Sequence, residues 1–176
     1  MSLLKTPKRV FFVRSAEQSL CPCCESELKV IGSRKRVFIN SLGEKVTLII
    51  RRLKCRQCNR VHHELPDILV PYKRYGSESI EAAISEDTGL TVSADDSTIR
   101  LWRKWFKKIS EYLLGCLVSI DTRYGKGSVK DISVLPKSAL QRIQHHVGNA
   151  PGWLARVVRP VTNHNLWLQT RLAFLA

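Results

Sequence analysis

Apolar positions along the chain change their spacing near residue 77. Before it they alternate or run in short blocks. "RKRVFIN" (34–40) and "KVTLIIRRLKC" (45–55) are rich in β-branched and aromatic residues, and "SLGE" with Gly43 lies between them. Alternation around a turn residue predicts two antiparallel strands. After residue 77 the spacing becomes helical. "SESIEAAI" predicts a helix over roughly 78–86, following "HHELPDILVPYKRYG", in which Pro66 and Pro71 favour an extended connection. Gly89 breaks it, and Asp96 or Ser97 fits the N-cap of a helix over 97–119. On that helix Leu101, Trp102, Trp105, Phe106, Ile109, Tyr112, Leu113 and Cys116 share one side. Arg100, Arg103, Lys104, Lys107 and Lys108 occupy an arc of roughly 140° on the other. Helix, break and basic helix suggest a helix-turn-helix, although the connection over 87–95 is longer than the usual turn. Further on, "DTRYGKGSVKDI" (121–132) reads as an exposed loop. "PKSALQRIQHHVG" has Pro at its start and Gly at its end, as a helix does. "PGWLARVVRPV" reads as a short helix stopped by Pro160, and "NLWLQTRLAFLA" as a final amphipathic helix. The expected class is α+β: a small N-terminal β-hairpin unit followed by an all-α, helix-turn-helix-like region. The expected organisation is 1–75, 76–120 and a C-terminal helical, partner-docking region at 121–176.

Charge narrows the function. The formal net charge is +14, from 29 Lys and Arg against 15 Asp and Glu. Such an excess costs self-repulsion in the folded state and points to a polyanionic partner, nucleic acid first. It is uneven, with 16 basic against 6 acidic residues over 1–75 and 13 against 9 over 76–176. Hydrophobic residues make up 44%, enough for a packed core. The apolar run "LLGCLVSI" (113–120) is far short of the roughly 20 residues of a membrane span, and the N-terminus lacks the sustained apolar core of a signal peptide. The expected location is the cytoplasm, where cysteines serve as thiols or metal ligands rather than disulfides.

The cysteines supply the candidate chemistry. "CPCC" (21–24) and "CRQC" (55–58) form two C-x2-C pairs about thirty residues apart, the spacing of a structural zinc site built from two knuckles. Cys21, Cys24, Cys55 and Cys58 are the expected ligands of one Zn2+ per chain. Cys23 is left over, and His62, at C-x3-H from Cys58, reads as a polar residue that helps close the unit rather than as a ligand. A four-cysteine iron site and a redox dithiol at "CPCC" are the competing chemistries. The first does not call for so basic a surface, and the second does not explain the second pair. A two-stranded hairpin alone is marginal, so the metal is expected to supply much of its folding energy. The cations Arg34, Lys35, Arg36, Arg51, Arg52 and Lys54 lie on this hairpin. With Arg100, Arg103, Lys104, Lys107 and Lys108 they are the candidate nucleic-acid contacts. No Gly-rich phosphate loop, no G-x-S-x-G elbow and no evident carboxylate pairing is found, so a non-enzyme without a small-molecule substrate is expected.

The stretch "CPCC…RRLKCRQCNRVHHELPDILVPYKRY" resembles a family of small uncharacterised bacterial proteins with a cysteine-containing, zinc-ribbon-like N-terminal domain of unknown function, often found beside transposase or integrase genes. The likeness is strongest over 20–75 and extends into "STIRLWRKWF" and "WLARVVRPVTNHNLW". More loosely, the cysteine unit resembles the zinc-binding heads of insertion-sequence transposases. The resemblance implies a mobile-element context and a DNA-binding role, and carries over only Cys21, Cys24, Cys55 and Cys58. The expected function is a zinc-containing DNA-binding accessory or regulatory factor of a mobile element, with duplex DNA and a transposase or integrase subunit as partners. The alternatives are a protein-interaction adaptor with a purely structural zinc site and an RNA-binding zinc ribbon.

Overall fold

The computed structural model describes residues 9–16, 19–85, 92–125 and 138–167. Contacts divide the chain into two units at Gly76/Ser77. The fold is mixed α+β, with a four-stranded sheet in the first unit and four helices in the second, among the described residues.

The first unit is organised by one strand, β3 (Lys45–Cys55). Strand β2 (Leu28–Ile39) runs antiparallel along its whole length, from Leu28↔Cys55 to Ile39↔Lys45. The other edge of β3 is shared. The three-residue β1 (Val10–Phe12) pairs parallel with 47–49, and the three-residue β4 (Val61–His63) pairs antiparallel with 52–54. The β2–β3 turn is closed by Asn40, whose Oδ1 accepts from the N–H groups of Leu42 (3.1 Å) and Glu44 (2.8 Å). Gly43 supplies the positive φ (78°) the turn needs.

Strand β3 does not bury one face throughout. Val46, Leu48 and Ile50 are buried, and with Phe38 and Leu69 they form the unit's core. Beyond Ile50 the buried positions are Leu53 and Cys55, which lie on the opposite face. The switch coincides with an irregularity in β2, where the register shifts between Val30 and Gly32. Gly32 (φ 147°) sits in a conformation costly for any side chain, and an extra residue in one strand increases local twist. The sheet therefore has a core end and a cysteine end, with opposite faces covered at each.

The second unit packs around α2 (Asp96–Arg123), 28 residues long. Its buried stripe of Trp102, Trp105, Phe106, Ile109, Leu113, Cys116, Leu117 and Ile120 meets α1 (Ser77–Ser85), α3 (Ala139–Val147) and α4 (Trp153–Asn163). Phe106 meets the Trp153 ring edge-on at 5.5 Å. Four expectations are corrected. The N-cap of α2 is Asp95, whose Oδ1 accepts from Thr98 N–H at 2.7 Å. Leu101 is 63% exposed, at the margin of the apolar stripe on the side of Lys104 and Lys108. Pro160 does not stop α4, which runs on to Asn163 and buries Val161. Residues 121–123, expected in the loop, are the last turn of α2, where Asp121 pairs with His146 of α3 as Glu111 does with Arg142. Glu81 of α1 does a further job: its two carboxylate oxygens accept from Gly152 N–H (2.7 Å) and Leu154 N–H (2.9 Å). It thus caps α4, whose own N-cap position is a glycine. Residues 168–176 of the expected final helix, 126–132 of the expected loop and 86–91 of the segment joining α1 to α2 lie outside the described residues. Among the described residues no helix is long and apolar enough to cross a membrane.

Candidate metal centre

The two cysteine pairs sit on the same backbone motif. In the first, Cys21 N–H donates to Ser26 C=O (2.9 Å) and Leu20 bridges Glu27. In the second, Cys55 N–H donates to Arg60 C=O (2.9 Å) and Lys54 pairs with Val61. Each turn puts a non-glycine residue at positive φ directly after its second ligand: Glu25 (59°) after Cys24 and Asn59 (56°) after Cys58. Superposed position by position, Cys21 matches Cys55, Cys24 matches Cys58, and Cys23 falls where the second turn has Gln57. In the second turn Cys58 N–H also points at Cys55 Sγ (3.4 Å), the contact by which a knuckle stabilises a thiolate.

These turns bring four sulfurs together. The Sγ atoms of Cys21, Cys24, Cys55 and Cys58 all lie within 4.8 Å of one another. Cys21 Sγ is 3.6 Å from Cys58 Sγ, and Cys24 Sγ is 3.5 Å from Cys55 Sγ. A tetrahedron with metal–sulfur bonds of about 2.3 Å has edges of about 3.8 Å, so four thiolates so placed could hold a metal ion. Cys21 and Cys55 are buried while Cys24 and Cys58 are half-buried, a closed site rather than one open to substrate. Proton affinity is uneven across the cluster. Hydrogen bonds from the Ser26 side chain and backbone bring Cys24 down to about 6. At Cys58 the Arg60 backbone bond pulls down, but desolvation and the neighbouring thiols outweigh it and push the group up to about 12. Four packed sulfurs cannot all ionise without a cation among them, and a bound dication reverses that preference.

The sequence gives no hint that His62 belongs here beyond its three-residue gap from Cys58. In the sheet it is placed by register. His62 stands opposite Leu53, on the face that buries Leu53 and Cys55, and its Nε2 lies 3.4 Å from Cys21 Sγ. Desolvation, with help from Arg60, lowers its proton affinity and favours the neutral, ligating form. Cys21, Cys23, Cys58 and His62 form a second group of donors within 4.8 Å of one another. Arg60 donates to Cys23 Sγ at 3.3 Å.

The candidate nucleic-acid residues of the sheet separate into two kinds. Arg34, Arg52 and Lys54 are exposed and share the face opposite Leu53 and Cys55, together with Lys29 and His63. Arg51 is taken up by Glu64: Nε donates to Oε2 at 2.6 Å and an Nη to Oε1 at 2.5 Å. Arg36 is half-buried and donates to Lys73 C=O at 2.6 Å. Lys35, exposed, is on the other face, opposite Ile49. On α2, Arg100, Arg103, Lys104, Lys107 and Lys108 are all exposed. Arg103 is anchored through Nε to Ala83 C=O (2.8 Å), and Arg100 through Nε to Asp96 C=O (3.2 Å).

No curated protein and no solved structure matches the chain. Residues 21–102 match the family model of a domain of unknown function, DUF6431, a span that runs from the first metal-ligand candidate, Cys21, through β2, β3, β4 and α1 to Trp102 of α2.

Proposed function

We propose that the protein is a zinc-containing, DNA-binding factor. The zinc assignment follows from the donor set. Four thiolates in a closed, tetrahedral arrangement suit Zn2+, which has no redox chemistry and needs no open position for a structural role. Cys21, Cys24, Cys55 and Cys58 would hold it. The ion would supply positive charge that fixes four thiolates in place and joins the two turns.

The observation that carries the DNA reading is the face opposite the cysteines. Arg34, Arg52 and Lys54 stand on it with Lys29 directly across from Lys54, and no carboxylate is hydrogen-bonded to these side chains among the described contacts. Like charges placed opposite one another cost stability in a sheet. A polyanion running along that face would relieve the cost, and counterion release would drive its binding. The exposed cations of α2 add a second basic surface. A role as accessory or regulatory factor of a mobile element rests on the resemblance of the cysteine stretch to proteins found beside transposase genes.

Selection of bound sequences from a random duplex library, with zinc content measured on the same sample, tests the proposal. An enriched motif recovered by the zinc-loaded protein, competed by duplex DNA better than by RNA, supports it. Affinity for duplex that stays flat between low and moderate salt sinks it.

A further inference from the structure

The donors at the cysteine end number six, and they fall into two groups of four. One is Cys21, Cys24, Cys55 and Cys58; the other is Cys21, Cys23, Cys58 and His62. The groups share two members, Cys21 and Cys58. Two tetrahedral ions joined by two bridging thiolates need four donors each with two held in common, hence six in all. We propose that the cluster binds two divalent ions, bridged by the thiolates of Cys21 and Cys58. Cys24 and Cys55 are then the terminal ligands of the first ion, and Cys23 and His62 those of the second.

Geometry agrees at each measured edge. The shared edge, Cys21 Sγ to Cys58 Sγ, is 3.6 Å and belongs to both tetrahedra. The terminal edge of the first ion, Cys24 to Cys55, is 3.5 Å. For the second, His62 Nε2 to Cys21 Sγ is 3.4 Å. Metal–sulfur and metal–nitrogen bonds of about 2.3 and 2.05 Å give a tetrahedral S–N edge of about 3.6 Å. His62 is held by the β3–β4 ladder on the cysteine-bearing face, so the ring needs no strand movement to reach the ion.

Charge agrees as well. One dication among four thiolates leaves two negative charges in a half-buried site. Two dications among five thiolates leave one, and the Arg60 guanidinium beside Cys23 Sγ balances it. The proposal also gives Cys23 a role. By the match between the two turns it stands where the second turn has Gln57, so it is spare for the first ion and available for the second.

The proposal rests on the metal-site reading above, and the test separates the two. The full chain is prepared in zinc-supplemented medium and dialysed against a weak chelator, and zinc is counted per chain. Two ions are expected, falling to one in both Cys23→Ser and His62→Ala, with the far-UV circular dichroism of the sheet retained. After exchange with cadmium-113, two resonances are expected, one from a four-sulfur site and one shifted as a three-sulfur, one-nitrogen site requires. His62→Ala should lose the second. One ion per chain in the wild type, unchanged in both variants, overturns the two-ion proposal and leaves the four-cysteine site standing. Two ions that persist in both variants overturn it too, because the second ion is then held elsewhere. No bound ion in the wild type overturns both readings.

Discussion

Replacing Arg34, Arg52 and Lys54 together by glutamine should lower the salt dependence of duplex binding by a calculable amount. The three side chains are exposed on one face of the sheet. If each neutralises a phosphate, each contributes about 0.9 to the slope of log affinity against log salt, so the triple variant loses about 2.7. Raising salt fourfold, from 50 to 200 mM, should then narrow the ratio of wild-type to variant affinity by about 40-fold. Fluorescence anisotropy with a labelled duplex, at five or six salt concentrations, measures the slope directly. The control is Arg51→Gln on the same strand. Arg51 already has its charge matched by Glu64, so its loss should leave the slope nearly unchanged. It should instead reduce stability. The Glu64 carboxylate, 7% exposed, would keep the Ser15 N–H but lose both guanidinium bonds. With Arg51 itself 28% exposed, a cost of about 2 kcal/mol is reasonable, below the range for a fully buried pair. A triple variant that binds with the wild-type slope would refute the assignment of this face. So would an Arg51→Gln variant that is as stable as wild type but has lost the slope.

Removing the metal with a strong chelator should unfold the sheet unit while the helical unit keeps its helical circular dichroism, because the two have separate cores. Loss of both signals together would show that the second unit depends on the first. Glu81→Ala should destabilise the helical unit by about 1–2 kcal/mol in urea unfolding, since two N–H groups at the start of α4 lose their acceptors. Asp95 titrates low, at about 2 against an ordinary 3.8, through hydrogen bonds from Ser97 and Thr98. Its contribution is therefore full above pH 3.8 and lost as pH falls toward 2; Asp95→Asn should flatten this part of the stability–pH profile, and an unchanged profile would refute the capping role.

What the sequence disclosed follows from what period and spacing can encode. The long elements were visible: β2 and β3 from their β-branched runs, and α2 from an apolar stripe sustained over several turns. The C-x2-C pairs were visible because ligand spacing is local. Features that depend on register were hidden. β1 and β4 are three residues each, too short for a period to show, and both exist only because β3 offers a free edge. His62 read as a polar residue, since nothing local says that it stands beside Leu53 on the cysteine face. Arg51 read as one more cation, since its carboxylate partner lies thirteen positions away on the far side of the second cysteine pair. Pro160 read as a stop, although burial of Val157, Val158 and Val161 outweighs one missing N–H.

Cations and cysteines alternate at one end of β3 because successive strand residues face opposite sides, and the shift at Val30–Gly32 marks where the covered side changes. Arg52 and Lys54 continue the face of Val46, Leu48 and Ile50, but beyond the shift that face is no longer covered. At that end the odd positions, Leu53 and Cys55, are covered and the even ones are left in water. The same register places His62 inward and His63 outward, beside Arg52. Burial of Leu53 alone is a weak reason for a strand to hold this orientation, because one side chain contributes only about 1.5–3 kcal/mol against Lys29 facing Lys54 and Arg52 near Arg34. Metal coordination through Cys55 would be the stronger one, since apparent binding energies of structural zinc reach about 10 kcal/mol or more. An ion held there would do more than close two turns: it would keep the Leu53 and Cys55 face covered, and with it the opposite line of cations, proposed to meet DNA, in water.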